Sequence, residues 1–214
     1  MVLDCSLAIL AGGMSSRFDG SDKQTASLHG TPLGRRVALN ALSLGVPVIL
    51  VGPQHDIYED LPLRFVHDLI PGFGPLSGLH AALFGASSSW VFLLACDMPY
   101  FNRDWVYYLN ELAQKPVTGD SPATLAVLAQ KGSYIEPFQG LYSRLLIPEL
   151  EQKMNRAGAA GIRLSFSRLL DGLPHRIVPE ATARRFSPGW NLFKSINDKP
   201  ALREYLRDQN GKTL

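Results

Sequence analysis

The sequence predicts an α/β protein built on a mostly parallel sheet, and three observations carry that prediction. Apolar runs at Cys5 to Leu10, Val46 to Val51 and Trp90 to Cys96 read as buried strands. Helical periodicity lies between them, and glycine-rich polar loops follow them. Strand alternating with helix is the pattern of a parallel sheet covered by helices.

In chain order, Cys5 to Leu10 runs directly into a polar loop, so that Leu10 to Lys23 reads LAGGMSSRFDGSDK, with three glycines, three serines and the cations Arg17 and Lys23. Gly12 and Gly13 carry no side chain to hold a ligand away from their backbone N–H groups, and a run of such groups makes an anion-binding concavity. Arg17 adds a planar fork for phosphate oxygens and Lys23 a point charge. Taken alone, a Gly-Gly pair is more often a tight surface turn. Two familiar phosphate loops do not apply. Lys23 is followed by Gln24 rather than Ser or Thr, and the glycines at 12 and at 72, 74 and 78 miss the G-x-G-x-x-G spacing.

Leu33 to Leu44 predicts a helix, with Val37, Ala41 and Leu44 on one face and Gly45 at its end. Val46 to Val51 predicts a second strand, Gln54 to Leu61 a short helix or loop, and Arg64 to Val66 a third strand ending near His67 and Asp68. In Asp68 to Gly85 the residues Pro71, Gly72, Gly74 and Pro75 break regular structure, and Ser77 is placed to cap a helix closed by Gly85. A glycine-rich turn before a helix N-terminus is a second candidate anion or base site, or simply a tight loop with a normal cap.

Trp90 to Cys96 is the most continuously apolar strand and predicts the centre of the sheet. Asp97 follows it directly. A carboxylate at the carboxyl end of a central parallel strand faces the crevice where open α/β sheets bind ligands, and beside a nucleotide its natural task is to hold Mg²⁺. The competing role is to cap the helix from Asn102 to Ala113, for which Asn102 itself is better placed. Beyond it, Ala123 to Ala129 predicts a strand and Tyr134 to Gly140 an extended piece broken at Pro137. Helices are expected over Leu141 to Met154, with Pro148 starting or kinking a turn, over Gly161 to Leu170, and over Pro200 to Arg207 behind caps at Asn197 and Asp198. Arg176 to Val178 reads as a short strand.

The 214 residues fit one domain, 1–214, with 46% hydrophobic and 19% charged residues and a formal net charge of +2. That balance, without a run of Lys or Arg, points away from nucleic acid. Cys5 and Cys96 lie in apolar runs and lack a C-x-x-C partner. No signal-peptide pattern opens the chain and no apolar run approaches the roughly 20 residues that cross a bilayer, so a cytoplasmic protein with no membrane partner is expected. The five histidines show no paired metal-ligand spacing, and Ser15 and Ser16 sit in no G-x-S-x-G elbow.

LAGGMSSRFDGSDK resembles the LAGGxSxRMGGxDK signature of the nucleotidyltransferases, in particular of the molybdenum cofactor guanylyltransferases. The resemblance continues in order through HGTPL, DLIPGFGPLSGLHAAL, ACDMPY and EPFQGLYSRLLIPELEQ, over nearly the whole chain. It implies a single-domain, doubly wound α/β fold of the nucleotide-diphospho-sugar transferase type that binds GTP and Mg²⁺, joins GMP to the phosphate of molybdopterin and releases pyrophosphate. Residue by residue, it implies that Leu10, Ala11, Gly12, Gly13 and Gly74 wrap the nucleotide and that Arg17 and Lys23 meet its phosphates. Asp68 would lie at base and sugar, and Asp97 would hold the metal. Transient contact with a molybdoenzyme or another cofactor-biosynthesis protein also follows from it.

The chain departs from the family pattern at four places: Asp19 stands where Gly is usual, Thr31 replaces the Lys of G-K-P-L, Gly52 and Pro53 stand where guanine-specific members often carry Asn, and Ser195 to Pro200 alters N-I-N-T-P. They keep open a CTP-dependent or sugar- or polyol-phosphate relative, and a non-catalytic nucleotide-binding partner of a molybdoenzyme.

Overall fold

The computed structural model describes residues 3–12, 23–28, 30–115 and 122–210. In chain order its strands are β1 (Cys5–Leu10), the short β2 (Ser27–Leu28) and β3 (Thr31–Pro32), β4 (Val48–Val51), β5 (Arg64–Val66), β6 (Trp90–Ala95), β7 (Ala126–Lys131), β8 (Tyr134–Ser143) and β9 (His175–Val178). The helices are α1 (Leu33–Leu42), α2 (Pro75–Gly85), α3 (Arg103–Gln114), α4 (Ile147–Ala159), α5 (Phe166–Leu170), α6 (Glu180–Ala183) and α7 (Lys199–Asn210). The main sheet has the order β5-β4-β1-β6-β8-β7-β9. Strands β5, β4, β1 and β6 are mutually parallel, β8 is antiparallel to both β6 and β7, and β9 is parallel to β7.

All six residues of β1 are buried because its two faces are both covered. Leu7 and Ile9 point into a layer shared with Val37 and Ala41 of α1 and Trp105 and Leu109 of α3. Ala8 and Leu10 point the other way, onto Leu79 and Leu83 of α2 and Leu150 and Met154 of α4. This two-sided burial makes the sheet doubly wound, and it explains why the central strands read as unbroken apolar runs rather than alternating ones. Each large apolar side chain fully buried there, such as Phe92 or Leu79, contributes about 1.5–3 kcal/mol relative to exposure. Polar contacts add to this packing. The Trp105 Nε1–H donates to the Gln139 carbonyl at 2.8 Å, and His80 Nε2 of α2 lies 2.8 Å from Glu151 Oε1 of α4.

Several expectations need correction. The helix expected from Leu141 starts only at Ile147, because Leu141 to Ser143 complete β8, pairing with β6 and β7. Pro137 does not end the extended piece: the β7–β8 register shifts between Val127 and Ala129, a bulge that admits the proline, and Gln139 takes φ 55°. Pro148, by contrast, starts a turn as expected: it lies in the first turn of α4, where its missing N–H is no loss. Helix α2 begins at Pro75, so Ser77 lies inside its first turn and its Oγ accepts from the Phe73 N–H at 3.1 Å. Only the second half of Gly161 to Leu170 is helical. The β2–β3 hairpin and α6 had no signal in the apolar pattern.

Candidate active site

Four adjacent parallel strands end on one side of the sheet, and the residues following them line a cleft of about 750 Å³. Ala11 and Gly12 come after β1, Gly52 and Pro53 after β4, His67 and Asp68 after β5, and Cys96 and Asp97 after β6. The N-terminal end of α2 closes one wall with Gly74, Pro75 and Gly78, and Phe138 of β8 adds an aromatic face. Crevices at the carboxyl ends of parallel strands collect loop backbone that the sheet leaves unpaired, which is why such folds bind ligands there.

Backbone hydrogen bonds hold the floor. The Ala11 N–H donates to the Val51 carbonyl at 2.8 Å, Gly52 N–H to Val66 at 3.0 Å, and Cys96 N–H to Leu10 at 3.1 Å. Leu10 contributes backbone to the cleft while its side chain packs on α2: a Cβ on Gly78 would sit 2.8 Å from Leu10 Cδ2. Gly12 is exposed and has nothing within 4 Å of where a Cβ would stand. Gly74, the N-cap of α2, has φ 56° and the same open space, so backbone can approach a ligand from both sides.

Gly52 serves the site in another way. Its φ is 143°, and a Cβ there would lie 3.0 Å from the Gly12 nitrogen and 3.1 Å from the Ala11 carbonyl carbon. A side chain at 52 therefore strains its own backbone and pushes on the β1 loop. Gly52→Val is expected to weaken ligand binding in this cleft about tenfold or more, read by calorimetry on the folded variant; unchanged affinity would show that the β1 loop tolerates the displacement.

Asp97 and Asp68 are the carboxylates of the cleft. The backbone carbonyl of Asp97 accepts from the Ile196 N–H at 2.8 Å, which anchors the loop after β6 to the segment preceding α7. Its capping alternative is removed, since Asn102 caps α3: the Oδ1 of Asn102 accepts from the Trp105 N–H at 3.1 Å. Burial raises the Asp68 carboxyl above its ordinary range, and neighbouring His67 pulls it partly back. Among the described residues no group of three or more His, Cys, Asp or Glu converges as a metal cage. A roomy cleft with Asp97 and Asp68 as its described carboxylates suits Mg²⁺, which usually takes one or two protein carboxylates and completes its shell with phosphate oxygens and water.

The structure thus brings together Leu10, Ala11, Gly12, Asp68, Gly74 and Asp97. Gly13 and Arg17 lie outside the described residues, and Lys23 is described in its backbone, at the head of a single 3-10 turn, Lys23–Thr25. Phe138, His67 and the backbone role of Gly52 were missed from sequence. The φ of Gly52 is set by tertiary contact and had no signal; Phe138 lay within EPFQGLY, the stretch whose bulge aims it. Of the altered positions near the C-terminus, Asp198 caps α7, its Oδ1 accepting from the Ala201 N–H at 2.8 Å. Ile196 is buried with Leu33, Tyr100 and Tyr205. No disulfide joins Cys5 and Cys96, and burial, with the Asp4 charge second, pushes the Cys5 thiol up to about 12. Among the described residues no helix is long and apolar enough to cross a membrane.

The chain is similar to known proteins. A model of the MobA-like NTP transferase domain matches residues 7–172. The chain is 34% identical over 200 residues to a probable molybdenum cofactor guanylyltransferase of Peptoclostridium acidaminophilum, covering 94% of this chain and 87% of that protein. It is 34% identical over 206 residues to a molybdenum cofactor guanylyltransferase of Syntrophotalea carbinolica, covering 96% and 92%. The crystal structure of molybdopterin-guanine dinucleotide biosynthesis protein A from Archaeoglobus fulgidus superimposes with a TM-score of 0.72 at 26% identity, over 97% of this chain and 100% of that one.

Proposed function

The chain belongs to the MobA-like NTP transferase family, among the molybdenum cofactor guanylyltransferases, and from that membership we propose that it transfers GMP from GTP to the phosphate of molybdopterin, releasing pyrophosphate. The observation that carries the reading is the placement of Gly12, Gly74, Asp68 and Asp97 around one cleft at the carboxyl ends of β1, β4, β5 and β6.

The roles follow from chemistry. The backbone of Leu10, Ala11, Gly12 and Gly13 and the turn at Gly74 hold the nucleotide without side chains in the way. Asp68 lies at base and sugar. Lys23 and Arg17 are assigned to the phosphates, where their charge offsets what gathers around the α-phosphorus as the bond to pyrophosphate breaks. An acceptor phosphate oxygen is already ionised at neutral pH, so the bond to the α-phosphorus forms without a strong general base, and in-line placement of the two substrates supplies much of the rate. Mg²⁺, held by Asp97, would supply Lewis-acid neutralisation of phosphate charge. The thiols of Cys5 and Cys96 suit a reducing compartment, so the protein is assigned to the cytoplasm, and delivery of the product entails transient contact with a molybdoenzyme or another biosynthetic protein.

Gly52 and Pro53 keep one competing reading in view, transfer from CTP. Calorimetric titration with GTP, CTP and ATP in Mg²⁺ separates the two: GTP is expected to bind at least tenfold more tightly than either of the others. Preference for CTP would move the reading to a cytidylyltransferase on the same fold, and no binding at all would favour a non-catalytic partner.

A further inference from the structure

Helix α1 carries a glycine, Gly34, in its first turn, although glycine is an entropic liability in a helix. The space a side chain would need is taken. A Cβ on Gly34 would overlap the Tyr58 hydroxyl and lie 2.9 Å from Gln24 Cβ. Tyr58 is fully buried, Gln24 is 1% exposed, and the Tyr58 O–H donates to Gln24 Oε1 at 2.9 Å. Three residues remote in sequence thus meet at one point, and Gln24 directly follows Lys23.

The segment that delivers Tyr58 is itself fastened to α1. Arg35 donates from Nη1 to the Ile57 carbonyl at 2.9 Å and pairs through both terminal nitrogens with the Asp60 carboxylate, which it holds down at about 2, so the pair is ionised throughout the physiological range. His55 Nδ1 accepts from the Ile57 N–H at 3.2 Å. On its other side the turn holding Lys23 is joined to the same helix, the Leu33 N–H donating to the Ala26 carbonyl at 2.8 Å. The 55–60 segment is reached from β4 through Gly52 and Pro53, both in the cleft.

We propose that Tyr58 is a positioning residue for the transfer reaction: its hydroxyl, seated in the gap left by Gly34, latches Gln24 and so fixes the turn from which Lys23 reaches the nucleotide phosphates. The inference rests on the reading of Lys23 as a phosphate-contacting residue. Tyr58 touches no substrate. It acts through backbone placement, and a displacement of about 1 Å at a reacting group costs up to about a hundredfold in rate.

The test compares wild type, Tyr58→Phe, Lys23→Ala and the double variant by pyrophosphate release. Tyr58→Phe keeps the ring and removes only the hydroxyl; kcat is expected to fall about tenfold to a hundredfold with KM for GTP changed less than about threefold. In the Lys23→Ala background the same change should lower kcat no further, because the group that Tyr58 positions is gone. A purely structural role predicts effects that multiply, and either multiplication or wild-type kcat in Tyr58→Phe overturns the proposal. Gly34→Ala, which presses on the hydroxyl from the opposite side, is a second variant expected to show the same dependence on Lys23. Hydrogen exchange of the Gln24 to Ala26 amides is independent of turnover: Tyr58→Phe should speed it at least tenfold while β6 is unchanged, and unchanged exchange at the turn overturns the latch. A wild-type protein that releases no pyrophosphate with any nucleotide defeats the transfer reading beneath the proposal, and the exchange measurement still decides whether Tyr58 holds the turn.

Discussion

Asp97→Asn is expected to lower Mg²⁺-dependent turnover about a thousandfold while leaving the fold intact. The substitution is nearly isosteric, and the local anchor does not depend on the carboxylate, because the Ile196 N–H bonds to the backbone carbonyl of Asp97. What is lost is a negative charge in a cleft where a Mg²⁺–triphosphate would otherwise find one protein carboxylate at the end of β6. Pyrophosphate release measured against Mg²⁺ concentration reads the effect, with thermal melting as the control. A variant with near-normal activity would remove Asp97 from the metal site and leave Asp68 as the carboxylate to test.

Lys23→Ala is the second large effect, an expected loss of about a hundredfold to a thousandfold in kcat with a melting temperature within a few degrees of wild type. Removing one preformed donor aimed at charge that develops in the transition state costs about a hundredfold to a thousandfold in kcat. The turn itself is held by the Tyr58–Gln24 hydrogen bond and by Leu33 N–H to Ala26, neither of which involves the Lys23 side chain. If the melting temperature collapses instead, Lys23 is a structural residue and the phosphate charge must be met elsewhere.

Much of the site was legible because its residues announce themselves locally. A glycine after an apolar run, Gly12, and an aspartate just after the most apolar strand, Asp97, state both the element and the end of the sheet to which they belong. The second half of the chain was harder to read. The spacing of Leu145, Ile147 and Leu150 suits a helical face running from Leu141, yet Leu141 to Ser143 pair with Trp90 to Phe92 on one side and Leu125 to Val127 on the other. Short apolar runs satisfy both periods, and the neighbouring strands decide between them. Pro137 reads as a break until the bulge opposite Leu128 gives it a place without a ladder hydrogen bond.

By itself the sequence determined the α/β class, the order of the central strands and helices in the chain, the carboxyl-end loops and the residue types in them, since periodicity, glycine permissiveness and caps are properties of adjacent residues. Only the tertiary structure decided that β8 runs against its neighbours, that Gly52 lies against Ala11 and Gly12, and that Tyr58 fills the gap at Gly34 to hold Gln24. The reason is physical. Those are contacts between residues far apart in the chain, of types that carry no chemical signature alone, and their geometry exists only once the sheet and helices have packed.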